Sequence, residues 1–282
     1  MDMRKHVPPL VWLNLICLDA PLVAIAWLWL FARSLGAPLQ TGNTMALFLT
    51  AWLIYLADRF ADAFTLKPGL PRSLRQQFCL GHREIWIATL ALVAGFDAYV
   101  IWRTSAAQTF LVGAVVGLVA VIYLVANHPL GLIWRSLPAK EMAIGILFAA
   151  GTVVALLPGP RLTPGFVVAV ATFAALCSLN CISIAAWECD LDRAQGKVSI
   201  ATLHPGVIAR VGQLCLGLAA GSLVLALLFR AAAVCLVCIS LSALLLGYLN
   251  ASGSFSTTSD ERTALADLVL LTPLVVLLVT ML

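Results

Sequence analysis

Two short acidic motifs contain the residues of this sequence whose types and spacing are best suited to chemistry. The first, YLADRFADAF, contributes Asp58 and Asp62, and the second, AAWECDLDRAQGK, contributes Glu188 and Asp192. In each motif the two acids are four residues apart, which on a helix places both carboxylates on one face, about one turn apart. Two such pairs can face each other across a bundle of helices.

Four carboxylates brought together need a counterion. Two such charges about 6 Å apart repel each other by roughly 3 kcal/mol at an effective dielectric constant near 20. Mg²⁺ takes oxygen ligands and commonly bridges protein carboxylates to substrate phosphates, so the motifs predict a site for Mg²⁺ and a diphosphate. Asp190, which lies between the acids of the second motif, is a further candidate metal ligand.

Basic residues follow both motifs and could hold the diphosphate oxygens that the metal does not hold. Arg72 and Arg75 follow the first motif, and Lys197 follows the second. Lys140 could reach a diphosphate from the start of a later span, and an interfacial ion pair with Glu141 explains it equally well. The alternative interpretation of both motifs is a solvated helix end, in which the acids pair with neighbouring basic residues.

The elements that must position these residues are transmembrane helices. Hydrophobic residues make up 62% of the chain and charged residues only 11%, whereas soluble domains carry about 25% charged residues. An apolar run of about 20 residues crosses lipid as a helix, because every backbone group must be paired within the segment. The sequence therefore predicts an all-α, polytopic membrane protein with one domain over residues 1–282.

Nine spans are predicted from the apolar windows between polar or Pro/Gly residues. They cover residues 9–32, 44–63, 84–102, 107–126, 139–157, 164–187, 205–229, 231–249 and 263–282.

The basic residues are distributed unevenly between the predicted loops. With the N-terminus in the cytoplasm, the cytoplasmic side holds Arg4, Lys5, Arg59, Lys67, Arg72, Arg75, Arg83, Arg135, Lys140, Arg193, Lys197, Arg210 and Arg262. The opposite side holds only Arg33, Arg103, Arg161 and Arg230. The positive-inside rule therefore favours a cytoplasmic N-terminus, a C-terminus on the opposite side and both acidic motifs at the cytoplasmic face.

At the second motif the sequence resembles the UbiA superfamily of intramembrane prenyltransferases, which are nine-helix bundles with two Asp-rich motifs on the cytoplasmic side. Glu188, Asp192, Gly196 and Ser199 follow the spacing of the family's DxxxD and its trailing Gly and Ser, with Glu188 in place of the first Asp. The resemblance implies a UbiA-like bundle for this chain.

The first motif of that family, NDxxDxxxD, is matched in its second half. DRFAD supplies the last two acids as Asp58 and Asp62, while Ile54 and Tyr55 stand where the family has Asn and Asp. The following PRSLR resembles the family's Arg-containing loop. LPAKEMAIG and LADLVLLTP look like the corresponding stretches of the fifth and ninth spans.

The resemblance implies a Mg²⁺-dependent enzyme that transfers an isoprenoid chain from a prenyl diphosphate to an aromatic or lipophilic acceptor within the membrane. It implies that Asp58, Asp62, Glu188 and Asp192 are the catalytic metal ligands. Two alternatives stay open, a terpene cyclase of the same type and a non-catalytic protein that binds a polyprenyl lipid or quinone. A transporter is disfavoured because the sequence has no internal repeat, and no basic tail indicates a nucleic-acid partner.

Polar residues inside the predicted spans are further candidates, because ionisable groups in a membrane are costly and often functional. Asp19 could line an acceptor pocket, and Asn180, about two turns deeper than Glu188, could contact substrate. A hydrogen bond between helices is the alternative for both residues. Asp97 and Asp267 are assigned a structural role.

Overall fold

The computed structural model describes residues 8–127, 140–159, 163–251 and 258–281, and every regular element among them is helical. The helices are α1 (Pro9–Leu15), α2 (Asp19–Leu35), α3 (Thr41–Phe64), α4 (Leu74–Gly81), α5 (Arg83–Thr104), α6 (Ala107–Asn127), α7 (Lys140–Val154), α8 (Pro164–Trp187), α9 (Cys189–Gln195), α10 (Ile200–Leu203), α11 (Val211–Leu228), α12 (Ala233–Ala251), α13 (Ser259–Leu268) and α14 (Pro273–Met281). Short 3₁₀ turns lie at Pro205–Arg210, Arg230–Ala232 and Val269–Leu271. The all-α prediction is confirmed for the described residues.

Among the residues that the structure describes, six helical segments are long and apolar enough to cross a membrane, and these contain α3, α5, α6, α8, α11 and α12. Two bent pairs, α1 with α2 and α13 with α14, raise the number to eight if each pair is one span. The fifth predicted span, 139–157, corresponds to α7, whose 15 residues extend only about 22 Å at ~1.5 Å per residue. A total of nine spans therefore depends on α7 also crossing the membrane.

The first predicted span, 9–32, is not one continuous helix. The chain leaves α1 after Leu15 and enters α2 at Asp19, and the two helices are bent by 89° relative to each other. Cys17, between them, has a φ of 59°, in the left-handed region that residues with a side chain seldom adopt. Asp19 and Pro21, in the first turn of α2, interrupt the apolar run at this point, and proline is tolerated in the first turn of a helix but not in its interior.

An aromatic core joins α2 to α8. Trp27 stacks on Phe173 with ring centroids 4.3 Å apart, and the ring of Phe31 packs edge-on against Phe173 and Phe166 at 5.6 Å. The indole N–H of Trp27 donates to the Leu270 carbonyl at 2.8 Å. All four rings are buried, so this core fixes α8, whose last turn leads directly into the second acidic motif.

Large apolar side chains also cover the outer surface of the helices. Leu92 is 74% exposed, Trp102 86% and Leu227 76%. Extended apolar surfaces of this kind mark membrane contact or association, and here they agree with the helices that are long enough to span a bilayer.

Four basic residues that entered the topology prediction lie outside the described part of the chain. They are Arg4, Lys5, Arg135 and Arg161. Residues 139 and 282, at the ends of two predicted spans, also lie outside it.

Candidate functional site

A cavity of about 600 Å³ lies among α3, α5, α6, α7 and α8, within the range of roughly 300–1,000 Å³ that is usual for small-molecule sites. Asp58, Asp62, Glu188 and Asp192 all line it. They are grouped at the end formed by the last turns of α3, the end of α8 and α9. This end of the cavity, defined by these four acids, is the acidic mouth.

The two motifs reach the acidic mouth through different local structures. Asp58 and Asp62 lie one turn apart near the C-terminus of α3. Glu188 is the residue at which α8 ends and α9 begins, and the N–H of Asp192 donates to the Glu188 carbonyl at 2.8 Å, which keeps one helical turn between them. Gly196 ends α9 with a φ of 69°, a left-handed conformation that glycine adopts without strain.

Within the described part of the chain, basic side chains pair with Glu188 and Asp62 of the mouth. The guanidinium of Arg75, on α4, donates to Oε1 of Glu188, and Nζ of Lys197 donates to Oδ1 of Asp62. The side chains of Arg75 and Glu188 are only 6% and 14% exposed, and the hydroxyl of Thr263 donates a further bond to Glu188 at 3.3 Å. The counterion expected from the sequence is therefore supplied in part by the protein itself.

Two glutamines that the sequence analysis did not single out connect the two motifs. The Nε2 group of Gln76 donates to Asp62 at 2.9 Å and to the side-chain oxygen of Gln195 at 3.2 Å, while Gln195 donates to the Pro71 carbonyl at 2.8 Å. Gln76 also forms a capping box with Ser73 at the start of α4. The Ser-x-x-Gln spacing is a recognisable signal for a helix start, so α4 was open to prediction, whereas the contact with Asp62 was not.

Two guanidinium groups at the acidic mouth have buried N–H groups that donate no hydrogen bond within the described residues. Arg59, on α3, lies over the ring of Tyr55 at 4.9 Å and donates to its hydroxyl at 2.9 Å. Nε of Arg59 and both Nε and Nη1 of Arg75 are buried and have no hydrogen-bond acceptor within the described residues. Both arginines line the cavity, so these N–H groups suit an anionic ligand.

The ionisation of Asp192, in α9, is affected by its surroundings. Burial, and next the negative charge of Glu188, raise the pKa of the Asp192 carboxyl, whereas Lys140, Lys197 and a hydrogen bond with Ser199 oppose the shift. Charge on Asp192 is therefore disfavoured unless a cation approaches it.

The acids do not form a ready-made metal centre. Across residues 8–127, 140–159, 163–251 and 258–281, no three His, Cys, Asp or Glu side chains are grouped so as to hold a metal ion. The oxygen donors at the mouth are of the type that Mg²⁺ prefers, but Asp62 and Glu188 are engaged by Lys197 and Arg75. The residues therefore fit Mg²⁺ only if an anion also enters and binds Lys197 and Arg75 in place of the two carboxylates.

Two of the residues predicted for the site lie outside the cavity on the surface. Asp190 is almost fully exposed and pairs with Arg193 at 3.1 Å. Arg72 is exposed, and its carbonyl accepts a bond from Gln77 at 3.0 Å. Neither Asp190 nor Arg72 lines the cavity, whereas Lys140 does.

Asp19 and Asn180 belong to a separate buried network. The side-chain amide of Asn14 donates to Asp19 at 2.5 Å and to Asp267 at 3.2 Å, and that of Asn180 donates to Asp267 at 2.9 Å. This network connects α1, α2, α8 and α13, and none of its members lines the cavity. Its geometry agrees with the structural alternative, a hydrogen bond between helices.

Comparison of the sequence with protein-family models and with curated proteins, and of the fold with solved structures, returned no match.

Proposed function

We propose that this protein is a membrane-embedded prenyltransferase that binds a prenyl diphosphate at the acidic mouth and transfers its isoprenoid chain to an aromatic or lipophilic acceptor. The observation that carries the proposal is the character of one cavity, which combines carboxylates and buried guanidinium donors at one end with an apolar middle. A molecule with an anionic head and a hydrocarbon tail complements such a cavity.

The diphosphate would be held by the basic residues of the mouth. Arg75 and Arg59 have buried N–H groups without acceptors, and Lys140 and Lys197 line the same end. Charge-assisted hydrogen bonds to phosphate oxygens would satisfy these donors. Arg75 and Lys197 would then exchange their carboxylate partners for the diphosphate.

That exchange would release Glu188 and Asp62 as ligands for Mg²⁺, together with Asp58 and Asp192. Bound Mg²⁺ would stabilise the negative charge of the departing diphosphate. The prenyl carbon loses its bond to the diphosphate oxygen, forms a bond to the acceptor, and the acceptor gives up a proton. Ile54, Leu147 and Phe148 line the cavity beyond the mouth and would shield the tail from water.

The same proposal includes a place in the UbiA superfamily and a bundle of nine spans, with α7 as the fifth. It includes a cytoplasmic N-terminus and acidic mouth, and a C-terminus on the opposite side. The support is the agreement of each predicted span with a helix or bent pair, and the basic residues on the predicted cytoplasmic side.

A test uses the purified protein in lipid nanodiscs and measures both the binding affinity for geranyl and farnesyl diphosphates and the release of pyrophosphate from them, with Mg²⁺ or with EDTA. Asp192→Asn and Asp62→Asn should weaken binding of the diphosphate with Mg²⁺ by about tenfold or more, as expected when a charged partner worth ~1.5–3 kcal/mol is lost. Glu188→Asp should be tolerated better than Glu188→Gln.

Asp190→Asn is the matched control, because Asp190 is on the same helix as Asp192 but is exposed and outside the cavity. It should change binding by less than about twofold, as for a surface charge. Diphosphate affinity that is equal in EDTA, or unchanged in Asp192→Asn, contradicts the proposal.

A non-catalytic lipid-binding role is the second candidate, and the closed ion pairs Arg75–Glu188 and Lys197–Asp62 favour it. Binding of prenyl diphosphate without pyrophosphate release would support that role. Release without any added acceptor, with a hydrocarbon product, would instead support a terpene cyclase.

A further inference from the structure

The end of the cavity opposite the acidic mouth is also polar. The cavity follows one face of α3 from Asp62 back to Asn43, about 28 Å along the helix axis at ~1.5 Å per residue. The half of the cavity away from the mouth is lined by Asn43 and Thr50 of α3, Asp97 of α5 and Thr109 of α6. This half, defined by these four residues, is the deep end. Thr50 and its partner Asp97 lie about two helical turns nearer the mouth than Asn43.

The hydrogen bonds at the deep end leave acceptors rather than donors unused. The hydroxyl of Thr50 donates to Oδ2 of Asp97 at 2.7 Å, the hydroxyl of Thr109 donates to the Leu157 carbonyl, and Nδ2 of Asn43 donates to the Ala155 carbonyl at 3.3 Å. Oδ1 of Asp97 and Oδ1 of Asn43 are buried with no donor within the described ranges. Both side chains belong to residues that are less than 5% exposed.

Asp97 differs in this respect from the other acid assigned a structural role. Asp267 receives hydrogen bonds on both carboxylate oxygens, from Asn14 at 3.2 Å and from Asn180 at 2.9 Å. Asp97 receives one, and among the described lining residues the basic ones, Arg59, Arg75, Lys140 and Lys197, are at the mouth. A buried acceptor without a donor is costly, so the protein alone leaves the deep end incomplete.

We infer that the deep end is a second binding subsite, which takes the hydroxyl or ammonium group of a lipophilic molecule and bonds it to Asp97. The ligand must donate hydrogen bonds, because acceptors are what this end offers. It must be apolar elsewhere, because Leu47 and Phe148 line the same cavity, and Gly117 and Gly151 leave open space there that a hydrocarbon chain can fill. This subsite does not depend on the chemistry proposed for the mouth.

The experiment measures equilibrium binding of three probes of equal chain length to the protein in nanodiscs by native mass spectrometry. The probes are decan-1-ol, decylamine and decyl methyl ether, which differ in whether the polar end donates a hydrogen bond. The alcohol or the amine should bind at least about tenfold tighter than the ether, a ratio typical of one satisfied buried polar group. The tighter of the two assigns a hydroxyl or an ammonium ligand, and equal binding of all three overturns the subsite.

Asp97→Leu removes the acceptor at similar size and should abolish the preference for the donating probe. Thr44→Val is its control on α3, because the Thr44 hydroxyl bonds only to its own helix at Gln40 and does not line the cavity. A preference that persists in Asp97→Leu contradicts the inference. Pyrophosphate binding, measured on the same samples, reports on the acidic mouth. If pyrophosphate does not bind while the alcohol still does, the proposed function is rejected and the subsite at the deep end stands.

A second pair of variants tests the location of the subsite even if Asp97→Leu does not fold. Gly117→Leu places a side chain in the middle of the cavity, where a Cβ meets nothing within 4 Å, and should reduce alcohol binding by about tenfold or more. Gly217→Leu, on α11, has similar open space and lies outside the cavity, so it should bind as the unchanged protein does. Unaltered binding in Gly117→Leu contradicts the location.

Discussion

The pairing of Arg75 with Glu188 sets the electrostatics of the acidic mouth at the scale of single residues. Both side chains are mostly buried, and the pair joins α4 to the end of α8. The sequence predicted that the acids and several basic residues would gather at one end of the bundle. It did not predict which residue pairs with which, because partner choice depends on where α4 packs.

We expect Arg75→Met to destabilise the protein by about 3–5 kcal/mol, because it leaves the Glu188 carboxylate buried without its cation. The double variant Arg75→Met/Glu188→Gln should lose clearly less than the sum of the two single changes. Thermal unfolding of the three variants in one detergent measures this. Additive losses would show that the two side chains do not interact energetically.

The pKa of Asp192 gives a pH-dependent prediction. Since burial raises this pKa in the folded protein, the charged form is penalised above it and the folded state gains from protonation as the pH falls. Asp192→Asn should therefore equal or exceed the original protein in stability near about pH 7. The difference should shrink as the pH falls through the raised pKa towards the ordinary carboxyl value of 3.8. Melting temperatures across that range test this, and a variant that is less stable near neutrality argues against the shift.

At the scale of elements, α7 and α8 approach each other closely. A Cβ built on Gly145 would lie 2.2 Å from Oγ of Ser178, 2.5 Å from its backbone nitrogen and 2.7 Å from the Ala174 carbonyl oxygen. Backbone atoms cannot move aside easily, so glycine is required for this contact. The packing holds Lys140 and Glu141, at the start of α7, close to the second motif, where Glu141 accepts the Ile200 N–H at 3.0 Å.

Gly145→Ala should cost about 1–3 kcal/mol or more through overpacking. Gly221→Ala on α11 is the control, because a Cβ there has no neighbour within 4 Å and alanine favours the helix by up to about 1 kcal/mol. Thermal unfolding in detergent compares the two. Equal stability of Gly145→Ala and Gly221→Ala would mean that α7 and α8 lie further apart than described.

The elements were predictable to different degrees. The long apolar spans follow from composition, because lipid demands continuous helices. The break at Cys17 and the separate short helix α9 were not predicted, although Pro21 in the first turn of α2 and Gly196 at the end of α9 are local signals for them. The course of the cavity could not be predicted from the sequence either. Asn180 and Asp19 were expected along it, but Asn180 bonds to Asp267 and Asp19 bonds to Asn14.

At the scale of the whole molecule, the distribution of basic residues predicts which face of the membrane the acidic mouth occupies. Lys67, in the connection after α3, is exposed on the predicted cytoplasmic side, and Leu39, before α3, is exposed on the opposite side. The eight native cysteines are free, and seven of them are buried. Single introduced cysteines can therefore report on the two faces with little background.

A membrane-impermeant maleimide applied to intact cells should label Leu39→Cys. It should label Lys67→Cys only after permeabilisation, because positively charged loops stay on the cytoplasmic side. The unchanged protein provides the background from native cysteines. Labelling of Lys67→Cys in intact cells would invert the topology and place the acidic mouth on the other face.

The right angle between α1 and α2 connects the position of α1 in the lipid to buried residues of the protein. A bilayer that aligns α2 with its normal holds α1 parallel to the headgroup plane, because the two helices are bent by 89°. Trp12 and Ile16 are then turned outwards at 46% and 36% exposure, at a depth that suits tryptophan. Asn14, on the same helix, donates to both Asp19 and Asp267, so a displacement of α1 along the membrane surface would strain the hydrogen bonds of two buried acids.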